Sequence, residues 1–419
     1  MTEMQLAELS RVLFFPVTML LYLVAMGLYL YALAFTKVDR GADEPAIAGT
    51  RALRLATVVA GIGLVTHLGH IVTRSLAAGG RVPWGTMFEY SSVSGFLVVL
   101  AGLLIFQWRM RRPEVVGFLL LGSLLTMGAA LLLYAEPGPL QPILNSHWLK
   151  IHVFSIMVAA TVFTVGFIFN GLHLIRDTAE QRVAEARTAG LTGSTVGAAY
   201  SGGAGVGGAP VVVEEDEGPL GTEADRADAP ADLADGGVRG PADGDDDVAY
   251  GAALRATISP WRLAIGTFLG AATISWVFIP ASETVATGLR SFLAINLALV
   301  AAALLGWWFV AKLPSAATLD SLAYRTIAFG FPIWTFAVLT GAIWAEQSWG
   351  RYWGWDPKET SAFLTWVAYA GYLHARATRG FRGRGAAWLG IGAFAVLMFT
   401  YYAVNLVVTG LHSYGGLPS

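Results

Sequence analysis

Cysteine is absent from the 419 residues. That excludes a disulfide framework, a thiolate metal site, an iron–sulfur cluster and a cysteine nucleophile. Any thiol chemistry has to take place on another molecule. Charge is scarce too: Asp, Glu, Lys and Arg make up 13% of the chain, against roughly 25% in ordinary globular domains. Hydrophobic residues reach 55%, and mean hydropathy is +0.58. This balance excludes a soluble enzyme, a disordered protein and a nucleic-acid binder. The first apolar run lacks a basic leader and is followed by Thr36-Lys37 rather than small residues, so no cleavable signal peptide is expected.

The net charge of −2 conceals a division. Between Asp177 and Asp247 stand 16 acidic and 4 basic residues, leaving 13 acidic and 23 basic residues elsewhere. The acidic stretch is rich in Ala, Gly, Asp, Glu and Pro and poor in large apolar residues. It reads as a disordered linker. Its Gly202-Gly203-Ala204-Gly205 lacks the Lys-Ser/Thr of a phosphate loop and receives no chemistry.

A membrane helix needs about 20 mostly apolar residues. Ten such runs begin near Val12, Leu55, Thr86, Val115, Trp148, Trp261, Arg290, Tyr324, Ser361 and Ala386. The fold expected is therefore all-α, a polytopic transmembrane helix bundle of about ten spans. It divides into an N-terminal membrane half (1–176), the linker (177–258) and a C-terminal membrane half (259–419). Lys37, Arg40, Arg51, Arg54, Arg109, Arg111, Arg112, Lys312, Arg325 and the arginines from Arg376 to Arg384 fall on alternate loops of one face. Basic loops are retained in the cytoplasm. The linker is then cytoplasmic, and both termini and the loop around Trp353 face outward.

Ionisable and polar residues inside a membrane are costly and point to function. Seven histidines are present: His67, His70, His147, His152, His173, His374 and His412. With no cysteine, they are the available ligands for a metal or haem iron. The densest signal is 344–360, where Trp349, Tyr352, Trp353 and Trp355 fall within seven residues. An aromatic belt at the interface accounts for one or two tryptophans. A cluster interleaved with Gly350 and Gly354 and closed by Asp356-Pro357-Lys358-Glu359 better fits a planar aromatic ligand stacked on indole faces. Asp356-Pro357 also reads as the cap and first position of the next helix.

His152 and His412 lie at span ends on the face of this loop, where two imidazoles can hold a haem iron from both sides. The alternative for each is a solvated interfacial histidine. His147 is five residues before His152, about 140° away around a helix, so one of the two at most faces a common site. His374 lies near the cytoplasmic end of the ninth run, with His173 the other histidine at similar depth. His67 and His70, three apart, share a helix face, where hydrogen bonding within the bundle is the expected role.

Trp349-Gly-Arg-Tyr-Trp-Gly-Trp-Asp-Pro-Lys-Glu359 resembles the tryptophan-rich signature of the haem-handling proteins of cytochrome c maturation. Within them the chain is similar to the system II CcsA/ResC family. Trp148-Leu-Lys-Ile-His152-Val, Gly410-Leu-His412-Ser-Tyr414 and Leu319-Asp-Ser-Leu-Ala-Tyr324-Arg325 add to the likeness. The resemblance implies that haem b is the transported substrate, entering from the cytoplasmic side and passing through a site in the membrane to an external one. It implies His152 and His412 as external axial ligands, with Trp349, Tyr352, Trp353, Trp355 and Asp356 around the haem. It implies His374 as the intramembrane ligand, its opposite ligand supplied by a CcsB/ResB-like membrane protein. The family context is a bacterial-type plasma membrane and a holocytochrome c synthase that acts by positioning haem, with apocytochrome c supplying the Cys-x-x-Cys-His thiols. The chain itself contributes no catalytic residue. Glu89 falls near a Pro…Tyr-Glu stretch of the family and receives no role. The acidic linker and the two runs between Trp261 and Val310 depart from the shortest family members. A haem exporter, a b-type haem electron carrier and a glycan-handling membrane enzyme are the competing classes.

Overall fold

The computed structural model describes residues 1–35, 50–139, 144–188, 251–282, 284–378 and 381–411. Lys37, Arg40, Arg379, His412 and the stretch 189–250 with its glycine run lie outside the described residues. Among those described, the chain is all-α, and it is a multi-pass membrane protein. The elements are α1 (Glu3–Ala34), α2 (Arg51–Ala77), α3 (Met87–Arg109), α4 (Pro113–Leu131), α5 (His147–Thr188), α6 (Pro260–Phe278), α7 (Val285–Trp308), α8 (Ala316–Trp349), α9 (Pro357–Ala377) and α10 (Arg384–Leu406). Nine of them are long and apolar enough to cross a membrane; α9, of 21 residues, is the tenth and more polar one.

Large apolar side chains cover the outside of the bundle, among them Leu20, Val58, Val65, Leu269, Leu297, Phe336 and Leu339. In water such a surface would be a continuous sticky patch; in a bilayer it is the solvated face. Interior contacts are made by close approach of helices. The most extensive pairing is α5 with α8. Between α5, α8, α9 and α10 sits a core of Phe163, Ile327, Trp334, Tyr369, Tyr372 and Leu397. There the Phe163 and Tyr369 rings stack at 3.6 Å. A second core joins α1, α3, α4, α5 and α8 through Leu33, Phe106, Leu119, Phe169 and Leu319. Pro332 lies inside α8, which neighbouring helices tolerate in a membrane bundle. The α6–α7 pair is held by Asn296, whose side chain donates to Ser275 Oγ at 2.6 Å, and by the Phe268–Phe292 ring contact.

The linker edges differ from expectation. α5 continues to Thr188, twelve residues into the expected linker 177–258. Its Ala179 and Val183 are buried against Ala253, Leu254, Ile258 and Val310. Residues 251–256 form a helical turn in that seam. The reason is local. Ala179 and Val183, four apart, make one apolar helix stripe, which the average composition of an acidic segment hides. Arg176 pairs with Glu180 at 2.5 Å and adds to the helix there.

Candidate functional site

Five segments meet at one end of the bundle around a cavity of about 450 Å³, within the size range of small-molecule sites. They are the α2–α3 loop, the first turns of α5, the last three turns of α8, the tryptophan loop with the start of α9, and the end of α10.

The α2–α3 wall is built on one buried carboxylate. Glu89 accepts from Arg74 Nε at 3.0 Å, from Arg81 Nη1 and Nη2 at 2.7 and 3.0 Å, and from the Gly85 N–H at 2.8 Å. Arg74 and Glu89 are buried. Arg74 also donates to the Ala135 carbonyl, and Arg81 to that of Gly138 at 2.7 Å. Two guanidinium groups on one carboxylate fix the loop that presents Arg81 and Trp84 to the cavity. Sequence reading left Glu89 without a role; its partners lie 15 and 8 residues upstream, across a turn.

On the α5 wall, His152 lines the cavity and His147 does not. Its Nδ1 stands 2.7 Å from the carbonyl oxygen of Ala337 in α8. A carbonyl can only accept, so Nδ1 carries a proton and donates it. The ring lies over Gly341, where a Cβ would fall 2.7 Å from Nδ1. Backbone bonding of one imidazole nitrogen is the usual way a ligating histidine is oriented.

The tryptophan loop begins where Gly350, at φ +69°, ends α8 in the left-handed conformation. Tyr352 and Trp353 line the cavity, together with Trp334 and Trp344 of α8. Trp349 packs edge-on against Trp344 at 4.9 Å and stands behind the wall. Trp355 adopts φ +57° and is 68% exposed. A non-glycine residue there is strained, a state that persists only where the surroundings hold it. Its ring meets Trp353 edge-on at 5.8 Å.

Asp356 is buried and does not line the cavity. It caps α9, accepting from Lys358 N at 3.3 Å, while its Oδ1 accepts from the Leu411 N–H at 2.8 Å. At Gly410 a Cβ would fall 2.6 Å from that oxygen. Asp356 thus ties the chain after α10 to the loop, one residue before His412. Glu359 Oε2 accepts from the N–H groups of Gly354 and Asp356 at 2.7 and 3.2 Å. Both acids build the loop. Lys358 sits in the first turn of α9, ahead of the apolar run from Ser361, and lines the cavity. Burial pushes its ammonium down to about 8, against the upward pull of Asp356.

The remaining histidines are elsewhere. His67 lies between Tyr22 Oη at 3.1 Å and Ser92 Oγ at 3.0 Å, and His70 is 2.9 Å from Ser10 Oγ; both bond within the bundle. His173 donates through Nδ1 to the Ala316 carbonyl at 2.9 Å. His374 is exposed at the far end of α9. Two residues on, Arg376 is held to both oxygens of Asp320 in α8 at 2.8 Å. Of the predicted site residues, the structure thus brings His152, Tyr352 and Trp353 together, sets Trp349, Trp355 and Asp356 around them, and places His374 apart. Sequence reasoning missed Arg81, Lys150, Lys358, Tyr401 and Asn405 as lining residues. Trp84, in Pro83-Trp84-Gly85 ahead of Glu89, lines the cavity as well.

Residues 258–412 match the cytochrome c assembly protein family. That match takes in the C-terminal membrane half. Over 104 residues, 25% of this chain, it is 52% identical to the cytochrome c biogenesis protein CcsA of Microcystis aeruginosa, covering 32% of that protein. Over the same length, the CcsA proteins of Trichormus variabilis and Synechocystis sp. are 52% and 51% identical, with 30% and 31% of those proteins covered. The matched stretch thus spans about a third of the length of these curated relatives. The matched residues 258–412 supply the α8, tryptophan-loop, α9 and α10 walls of the cavity. The α5 wall with His152 and the α2–α3 wall with Glu89 lie before it in the chain.

Proposed function

We propose that this chain acts in cytochrome c biogenesis as the membrane subunit of a system II cytochrome c synthase. It carries haem b across the membrane and presents it on the tryptophan-loop face for attachment to the Cys-x-x-Cys-His segment of apocytochrome c. The observation that carries the reading is His152. Its tautomer is fixed by the Ala337 carbonyl, and it shares a cavity with Tyr352 and Trp353. An imidazole beside indole and phenol faces suits a flat iron macrocycle. The Asp356–Leu411 bond brings the chain to the loop just before His412, which supplies the second external ligand.

In the attachment step each apocytochrome S–H adds across one haem vinyl group. A carbon–sulfur bond forms, the hydrogen goes to the other vinyl carbon, and no electrons are gained or lost. The chain needs no thiol for this and has none. Its residues hold the haem in the reacting geometry and exclude water, and orientation of this kind can contribute several kcal/mol, up to about 7–11. His374, exposed at the opposite end of α9, ligates haem within the membrane, with the opposite ligand from a CcsB/ResB-like protein. The tryptophan loop faces outward, and the acidic linker faces the cytoplasm.

The test is the absorption spectrum of the detergent-purified chain co-expressed with its CcsB/ResB-like partner, for wild type and for His152→Ala, His412→Ala and His374→Ala. Haem bound in wild type, lost or spectrally shifted in each variant and restored by added imidazole, is the expected result. A wild type without haem, or three variants identical to it, overturns the assignment.

A further inference from the structure

Two donors that line the cavity are bonded to no acceptor among the described residues. Trp353 Nε1 is buried without a partner among the described residues. Lys358 enters no ion pair or side-chain hydrogen bond among them, and both side chains line the same cavity. The nearby acids do not take up these donors. Asp356 is engaged by the N–H groups of Lys358 and Leu411, and Glu359 Oε2 by those of Gly354 and Asp356. Lys150, from the α5 wall, adds a second ammonium group without an ion pair among the described residues. Arg81 is already held by Glu89, which it shares with Arg74. A buried indole N–H and a desolvated ammonium are both costly until an acceptor arrives. A carboxylate answers both with charge-assisted bonds.

We propose that Lys358 and the Trp353 indole N–H form a carboxylate subsite, which grips an acidic side arm of the cavity's ligand and so sets which edge of the ring faces α9. The subsite rests on the haem reading, since the two propionates of haem lie on one edge of its ring. Gripping that edge directs the opposite, vinyl-bearing part away from α9. Glu359 Oε1, also buried and without partner among the described residues, disfavours a second carboxylate on its own side. The grip is therefore on one arm.

The experiment compares iron protoporphyrin IX with its dimethyl ester, which keeps the ring and iron and masks both acids. Each is titrated into the detergent-purified full chain and followed by the Soret shift, for wild type, Lys358→Gln, Lys358→Arg and Trp353→Phe. Wild type is expected to bind the diacid about tenfold or more tightly than the ester. Lys358→Gln is expected to weaken the diacid towards the level of the ester and leave the ester unchanged, and Trp353→Phe to weaken both compounds, the diacid more. Lys358→Arg is expected to keep most of the preference. An equal diacid preference in wild type, Lys358→Gln and Trp353→Phe overturns the subsite and leaves the haem reading standing. A wild type that binds neither compound overturns the haem reading itself. If Lys358→Gln does not fold, the diacid-to-ester ratio in Trp353→Phe decides, because the indole face lost with the N–H affects both compounds and cancels in the ratio.

Discussion

His152 is held by two features of α8: the Ala337 carbonyl, which accepts from its Nδ1, and the missing Cβ of Gly341, over which its ring lies. The second can be removed without touching the histidine. An alanine at 341 puts a methyl group 2.7 Å from Nδ1, closer than real Cβ atoms come, so the ring has to leave. Gly341→Ala is expected to reproduce the spectral change of His152→Ala while the chain elutes as a folded monodisperse species; an unchanged haem spectrum would separate the histidine from the cavity. Lys358 gives a second test at this scale. Its ammonium is pushed down to about 8 by burial, and pairing with a ligand carboxylate raises it again, so binding takes up protons. Affinity for the diacid should therefore be highest below pH 8 and fall as pH rises through it, and this slope should vanish in Lys358→Gln. The chemistry of such residues was partly legible in the sequence. Trp353 and His152 announce themselves by type and spacing. Lys358 does not, since a lysine after Asp-Pro reads as an ordinary first-turn residue until the cavity beside it is seen.

Between α2 and α3, the decisive contact is that of Glu89 with Arg74 and Arg81. Removing one member of a buried charge network leaves the others uncompensated, at a cost of about 3–5 kcal/mol. Glu89→Gln is thus expected to lower the thermal midpoint of the detergent-solubilised chain and to loosen residues 79–86, seen as faster amide exchange there. A midpoint unchanged within error would mean that the two arginines find other partners. The helices themselves were legible because long apolar runs leave few alternatives. The end of α5 was not, because the Ala179–Val183 stripe is short and set in an acidic context. Nor was the arrangement of the walls. The five segments around the cavity are drawn from both halves of the chain, and nothing in local periodicity says that α5 and α8 lie side by side.

For the molecule as a whole, the absence of cysteine becomes an experimental convenience. A single cysteine introduced at Thr360, beside the tryptophan loop, and another at Thr378, after α9, report their own sides of the membrane against a silent background. An impermeant maleimide added to intact cells is expected to label Thr360→Cys and to label Thr378→Cys only after lysis. The reverse pattern would invert the orientation read from the basic loops. The charge distribution from which this orientation is read stands in the sequence alone. The cavity does not, because enclosure is a property of the packed bundle.

The seam that joins Ala179 and Val183 to Ala253, Leu254 and Ile258 has one more consequence. The described residues on either side of the acidic stretch therefore pack directly against each other. A chain severed near residue 220 should come together again from two separately translated pieces, held by the α5–α8 interface. In its mechanics the molecule is already a two-part assembly that happens to be encoded as one.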